Sequence, residues 1–166
     1  KGLSDKYIKA DPNRQELLEK ALMGICGFQG IDNITEYMSI HKSDDDADEL
    51  WQYFQDVINW VQKIFPKYYN DMKGLDWCSL YNKYHNNTYN SSAMKTEVEK
   101  LHQDDEVQKR KGIYEYLLCK DKDPFAGRLL NLRAFDNRDK MAVYERQQGL
   151  CNICGEHFEY DEMEGR

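Results

Sequence analysis

The stretch DELWQYFQDVINWVQKIFP, residues 48–66, constrains this chain more than any other. Leu50, Phe54, Val57, Ile58, Val61, Ile64 and Phe65 recur at the i, i+3, i+4, i+7 spacing of a helix with one apolar face. The spacing predicts a helix of more than four turns. Acidic residues from Asp44 onward suit its positive N-terminal dipole, and Pro66 ends it because proline cannot continue the backbone ladder. Trp51 and Trp60 fall off the stripe, which predicts packing on two sides. Such a helix needs partners of its own kind to cover that face, so an α-helical bundle is expected.

The rest of the chain supplies them. Asp11-Pro12 has the form of a cap followed by a first helical residue, and Leu17, Leu18, Ala21, Leu22 and Ile25 continue at helical spacing until Gly24 and Gly27. A short helix is expected over 31–41, with Ile31, Ile34, Tyr37 and Met38 on one face. Another is expected from Asp76 to Asn86, with Trp77, Leu80, Tyr81 and Tyr84 inward. Ser91 or Ser92 would cap a helix carrying Met94, Val98 and Leu101, and Val107 to Leu118 reads as one more. A turn at Asp121–Pro124 comes next. Beyond it the composition shifts: Arg128, Arg133, Arg138 and Lys140 face only Asp136 and Asp139 within 125–140. A last helix is expected over 137–148, ended by Gly149. The expected division is a helical domain over 1–122 and a second segment over 123–166.

With 40% hydrophobic and 13% aromatic residues in 166, the chain can build a true core and is not a disordered segment. Its formal net charge of −7 argues against most of its surface meeting nucleic acid. Five cysteines, an odd number with three of them scattered, make no disulfide framework and point to a reducing, cytoplasmic setting. No apolar run approaches membrane-spanning length, and no secretion signal is evident, so no membrane partner is expected. Asn33, Asn86 and Asn90 open glycosylation-like triplets that carry no weight in such a setting. The chain begins at Lys1, and both ends have the look of a piece of a longer protein.

The chemistry concentrates in LCNICGEHFEYDEMEGR, residues 150–166. Cys151 and Cys154, separated by two residues and followed by Gly155, have the spacing with which a tight turn offers two thiolates to one zinc ion. A chance pair and a redox pair are the alternatives. The redox form needs a strand before and a helix after, whereas here a helix precedes and a polar, strand-like segment comes after.

The wider string RLLNLRAFDNRDKMAVYERQQGLCNICGEHFEYDEMEG resembles the entry to a His-Asn-His (HNH) endonuclease domain. Arg133-Ala-Phe135, the segment Tyr144-Glu145-Arg146-Gln147, Gly149-Leu-Cys151, Cys154-Gly155 and Phe158 carry the resemblance. Upstream, ITEYMSIH, ADELWQYFQDVINWVQKIF and WCSLYNKYH are similar to the helical connector of bacterial proteins. Those proteins join an N-terminal ParB/sulfiredoxin-like domain to a C-terminal HNH nuclease. The resemblance implies a mainly α fold, a multi-helix bundle followed by the start of a zinc-knuckle ββα domain.

It further implies metal-dependent hydrolysis of DNA, in restriction or phage defence, with DNA and the protein's own N-terminal domain as partners. Cys151 and Cys154 would be half of a structural zinc site. Magnesium or manganese would serve the complete nuclease. The catalytic histidine would come in an Asp-His pair due where Gly165-Arg166 stands, so no catalytic residue is expected in this chain, and the chain alone should be inactive. His157 is expected to be a solvent-facing strand residue. Arg138, Lys140 and Arg146 are the candidate phosphate contacts, with a solvated helix face as the plainer role. Arg133, between apolar residues, is expected to pair with an acidic core group. The contrasting possibility is a non-enzymatic helical interaction or DNA-recognition adaptor whose knuckle is only structural. His41, His85 and His102 lack a second ligand one turn on. Cys26, Cys78 and Cys119 are expected as core thiols.

Overall fold

The helix expected around Val57 runs from Asp48 to Ile64 and buries Tyr53, Phe54, Val57, Ile58, Val61 and Ile64, with Phe65 just beyond. The computed structural model describes residues 4–7, 15–133 and 137–163. Among them lie α1 (Ser4–Tyr7), α2 (Gln15–Gln29), α3 (Ile34–Ile40), α4 (Asp48–Ile64), α5 (Trp77–Tyr84), α6 (Ser91–Gln103), α7 (Gly112–Cys119) and α8 (Asn137–Gln147). Short 3₁₀ turns occupy Asn70–Met72, Ala126–Leu130 and Tyr160–Glu162. Bridging between extended segments is limited, among the described residues, to two isolated antiparallel pairs, Val107 with Leu132 and Leu150 with His157. The protein is mainly helical. The sheet of a ββα unit is not present among the described residues. No described helix is long and apolar enough to cross a membrane.

α4 packs against α2, α5 and α6, and α7 closes the bundle against α5 and α6. Trp77 sits at the centre. Its indole donates to the Met72 carbonyl at 3.0 Å, and its ring meets Phe65, Tyr114 and Tyr7 at centroid distances of 6.0, 5.9 and 6.4 Å. Each such buried side chain is worth about 1.5–3 kcal/mol in area removed from water, and edge contacts between rings add about 0.5–1.5 kcal/mol. Trp60 does give α4 a second packed side, with its ring edge-on to Tyr81 at 5.5 Å. Trp51 instead lies over Phe54 with its outer side exposed.

Several helix ends differ from the sequence expectation. Asp11-Pro12 lies outside the described residues. Gly24 and Gly27 do not end α2, which continues to Gln29. A Cβ on Gly24 would lie 2.6 Å from Cys78 Cβ and 2.8 Å from Tyr53 Oη. The missing side chain therefore lets α5 approach α2 closely. Asn82 fastens the crossing, donating to the Gly24 carbonyl at 2.9 Å and accepting from Tyr53 Oη at 2.9 Å. The true stop is Gly30 at φ +72°, with Ile31 N–H returning to the Cys26 carbonyl at 2.9 Å.

α3 turns Tyr37 inward but leaves Met38 exposed. Asn33 and Asn90, two of the glycosylation-like asparagines, are helix caps: their side chains accept from Glu36 N–H at 2.9 Å and Ala93 N–H at 3.0 Å. Asn90, and not Ser91 or Ser92, therefore opens α6. Asp46, one residue before the N-cap Ala47, accepts from Asp48 N–H at 3.0 Å, whereas Asp44 pairs with His41 at 2.6 Å.

α7 starts at Gly112, five residues later than the apolar pattern suggests, because Val107 is spent in the bridge to Leu132. Lys109 N–H donates to the Leu130 carbonyl at 3.0 Å and Arg133 N–H to the Glu106 carbonyl at 2.7 Å. Ala126 and Leu130 are buried, and the 3₁₀ turn that carries them lies on α7. Ala126 and Leu130, in the segment set apart by its charge, thus pack against the helical body.

Candidate metal centre

α8 ends in two residues of positive φ, Gln148 at +53° and Gly149 at +69°, which turn the chain back over the helix. The turn makes a narrow hairpin. Cys151 N–H donates to the Glu156 carbonyl at 2.8 Å, Phe158 N–H to the Gly149 carbonyl at 2.9 Å, and Leu150 bridges His157. Inside it, Gly155 N–H closes on the Cys151 carbonyl at 2.8 Å, with Gly155 at φ +74°. Only glycine enters that region without strain, so the Cys-Asn-Ile-Cys-Gly order has a direct conformational reason.

An aromatic clasp holds the hairpin on α8. Tyr144 meets Phe158 at 5.6 Å and Tyr160 at 5.7 Å, both nearly perpendicular. Gly149 makes room for it: a Cβ there would lie 2.9 Å from His157 Nε2 and 3.1 Å from Tyr144 Oη. These supporting roles are not legible from motif spacing. The signal available is the set of aromatic residues at 144, 158 and 160 flanking the cysteine pair.

The thiols differ. Cys151 is half-buried and Cys154 exposed. The backbone N–H groups of Cys154 and Ile153, with the Cys154 thiol, point at the Cys151 sulfur and hold its pKa below the ordinary thiol range. Cys154 lies 3.8 Å from Glu156 Oε2. Amides aimed at a sulfur favour its thiolate, the form that binds metal. The donor set therefore suits half of a tetrahedral zinc site. Among the described residues no group of three or more His, Cys, Asp and Glu is placed to hold a metal. The other cysteines are of another kind. Cys26, Cys78 and Cys119 are buried as expected, and burial raises their pKa, that of Cys78 to about 11.

The candidate phosphate contacts are not gathered on one face. Arg138 and Arg146 are exposed and Lys140 is half-buried. At about 100° per residue, Arg138 and Arg146 fall about 80° apart and Lys140 about 160° from Arg138, with Asp139 and Glu145 between. Arg128 pairs with Asp123 at 3.3 Å. Arg133 does not make the ion pair expected of it among the described residues. Its side chain is exposed, and its backbone does the binding. His157 is exposed on the hairpin, where a strand residue was expected. The hairpin and its exit carry Glu156, Glu159, Asp161 and Glu162 without a Lys or Arg, which repels rather than recruits phosphate.

The remaining histidines have structural partners. His41 lies tilted against Tyr37 at 4.2 Å, His85 Nδ1 meets the Tyr81 carbonyl at 2.8 Å, and His102 stacks on Tyr69 at 4.3 Å with Nε2 3.2 Å from Tyr114 Oη. No protein-family model, no curated protein and no solved structure matches the chain.

Proposed function

We propose that this chain is part of a cytoplasmic, metal-dependent DNA endonuclease. The bundle serves as a connector, and residues 123–166 form the zinc-supported entry to an HNH nuclease domain acting in restriction or phage defence. The observation that carries the reading is the Cys151–Cys154 hairpin, with its amides aimed at sulfur and its clasp to α8 through Tyr144.

In that role Cys151 and Cys154 supply two thiolates to a structural zinc, with two further ligands from elsewhere in the protein. Gly149 and Gly155 set the hairpin's path, and Tyr144 fixes it to the helix that precedes the catalytic residues. A magnesium or manganese ion in the complete nuclease stabilises charge on the scissile phosphate. The general base is a histidine outside these 166 residues.

The protein translated from the complete reading frame should nick or linearise supercoiled plasmid in the presence of Mg²⁺ or Mn²⁺. The 166-residue chain alone should leave the plasmid intact. The dispersed cations of α8 and the acidic hairpin favour the second reading, a non-enzymatic adaptor with a structural knuckle. Full-length protein that holds zinc but cleaves no DNA with either ion would establish that adaptor and end the nuclease reading.

A further inference from the structure

A crevice of about 320 Å³ opens among α2, α3 and the start of α4. Its apolar wall comprises Leu18 and Leu22 of α2, Tyr37 and Met38 of α3, and Leu50 of α4. Leu22 and Tyr37 belong to the core, but Leu18 at 52% and Met38 at 55% exposure stand at the lips, uncovered among the described residues. Helical spacing places both on inward faces. Their exposure leaves the apolar faces of α2 and α3 partly uncovered at one place.

The rim is predominantly acidic. Asp44, Asp46 and Glu49 line it. Over residues 31–50 there are seven carboxylates, Asp32, Glu36, Asp44, Asp45, Asp46, Asp48 and Glu49, against Lys42 and His41. Seven less two leaves −5 even with His41 protonated. The half-charge of the α4 N-terminus does not change the sign, because the C-terminus of α3 ends at the same loop. His41, between Asp44 at 2.6 Å and Glu49 at 3.7 Å, stiffens the rim.

We infer that this crevice docks a cationic amphipathic helix of a partner protein, with one or two large apolar side chains between Leu18 and Met38 and Lys or Arg against the rim. An apolar floor with an acidic border is complementary to that chemistry. The same border repels nucleic acid and anionic lipid. A simple polyamine would satisfy the border but leave the floor wet. The inference stands apart from the nuclease reading, since nothing in it involves the hairpin.

The test is titration of the ¹⁵N-labelled chain with three probes. The first is a synthetic helical peptide with leucines at i, i+3, i+4, i+7 and lysines elsewhere. The second is the same peptide with glutamates for lysines, and the third is spermine. The lysine peptide should shift the amides of residues 18–22, 37–50 and no distant region. The glutamate peptide and spermine should bind at least about tenfold more weakly, as expected when charge complementarity or apolar anchoring is lost. Leu18→Asp and Met38→Asp add attraction for a cation yet should each weaken the lysine peptide about tenfold by removing the apolar anchor. Met23→Asp, also exposed on α2 but outside the crevice, should not. Equal binding of the glutamate peptide, spermine binding as strongly as the lysine peptide, or indifference to both Leu18→Asp and Met38→Asp would overturn the inference.

Discussion

Replacing Gly112 with alanine should cost on the order of 5 kcal/mol and lower the melting temperature far more than any surface change. A Cβ at Gly112 would lie 1.7 Å from the Leu129 carbonyl oxygen and 2.6 Å from its carbon. Both are backbone atoms, so no side-chain rotation relieves the overlap. The 3₁₀ turn Ala126–Leu130 must lift from α7. That movement breaks the Lys109–Leu130 and Arg133–Glu106 backbone bonds and opens the cover over Val107 and Leu130. Two hydrogen bonds at about 1 kcal/mol and two buried aliphatic side chains at about 1.5–3 kcal/mol give the stated magnitude. It rivals the whole stability of many domains, about 5–15 kcal/mol. Gly127, in the same segment, has nothing within 4 Å of its would-be Cβ, and Gly127→Ala should melt close to the parent. Thermal unfolding followed by circular dichroism separates the two. A Gly112→Ala protein that melts like the parent would show that 126–133 is not part of the bundle.

The second large effect concerns the hairpin. In the full-length protein, Cys151→Ser should reduce bound zinc at least about tenfold, because a hydroxyl is a far poorer zinc donor than a thiolate. Cys154→Ser should do the same. Loss of metal should also expose the hairpin to proteolysis beyond Leu150, since Tyr144, Phe158 and Tyr160 alone then hold it to α8. Two controls distinguish ligation from packing. Ile153, 97% exposed between the cysteines, can become alanine without loss of zinc. Cys78→Ser sits in the core against Gly24 and should lower stability while leaving zinc content unchanged. Elemental analysis of the purified variants reads the outcome directly. Zinc retained by both Cys151→Ser and Cys154→Ser would remove the hairpin from the metal site.

The fold is legible in the sequence where the signals that set a helix are local. α4 is the clearest case, since its seven apolar positions, its acidic start and Pro66 all act locally. Gly24 shows the limit. A glycine inside a helical pattern reads as a stop, yet here it is a contact surface, and the reason lies 54 residues away at Cys78. Val107 misleads in the other direction: its apolar side chain extends the α7 pattern backward, while its backbone is committed to Leu132. By charge, residues 126–133 belong with the basic segment that runs to Lys140, but the burial of Ala126 and Leu130 decides where they pack. At the site, the cysteine pair is legible from spacing. The amides aimed at Cys151 and the Tyr144 clasp are not, because they depend on a chain reversal set by two positive-φ residues.

In the proposed function Cys151 and Cys154 are zinc ligands of a structural knuckle. Zinc K-edge X-ray absorption of the purified full-length protein tests it most directly. About one zinc per chain is expected in a four-coordinate shell, with sulfur at about 2.3 Å and the sulfur contribution reduced in Cys151→Ser. A protein without zinc, or with zinc in a shell of oxygen and nitrogen alone, would contradict it.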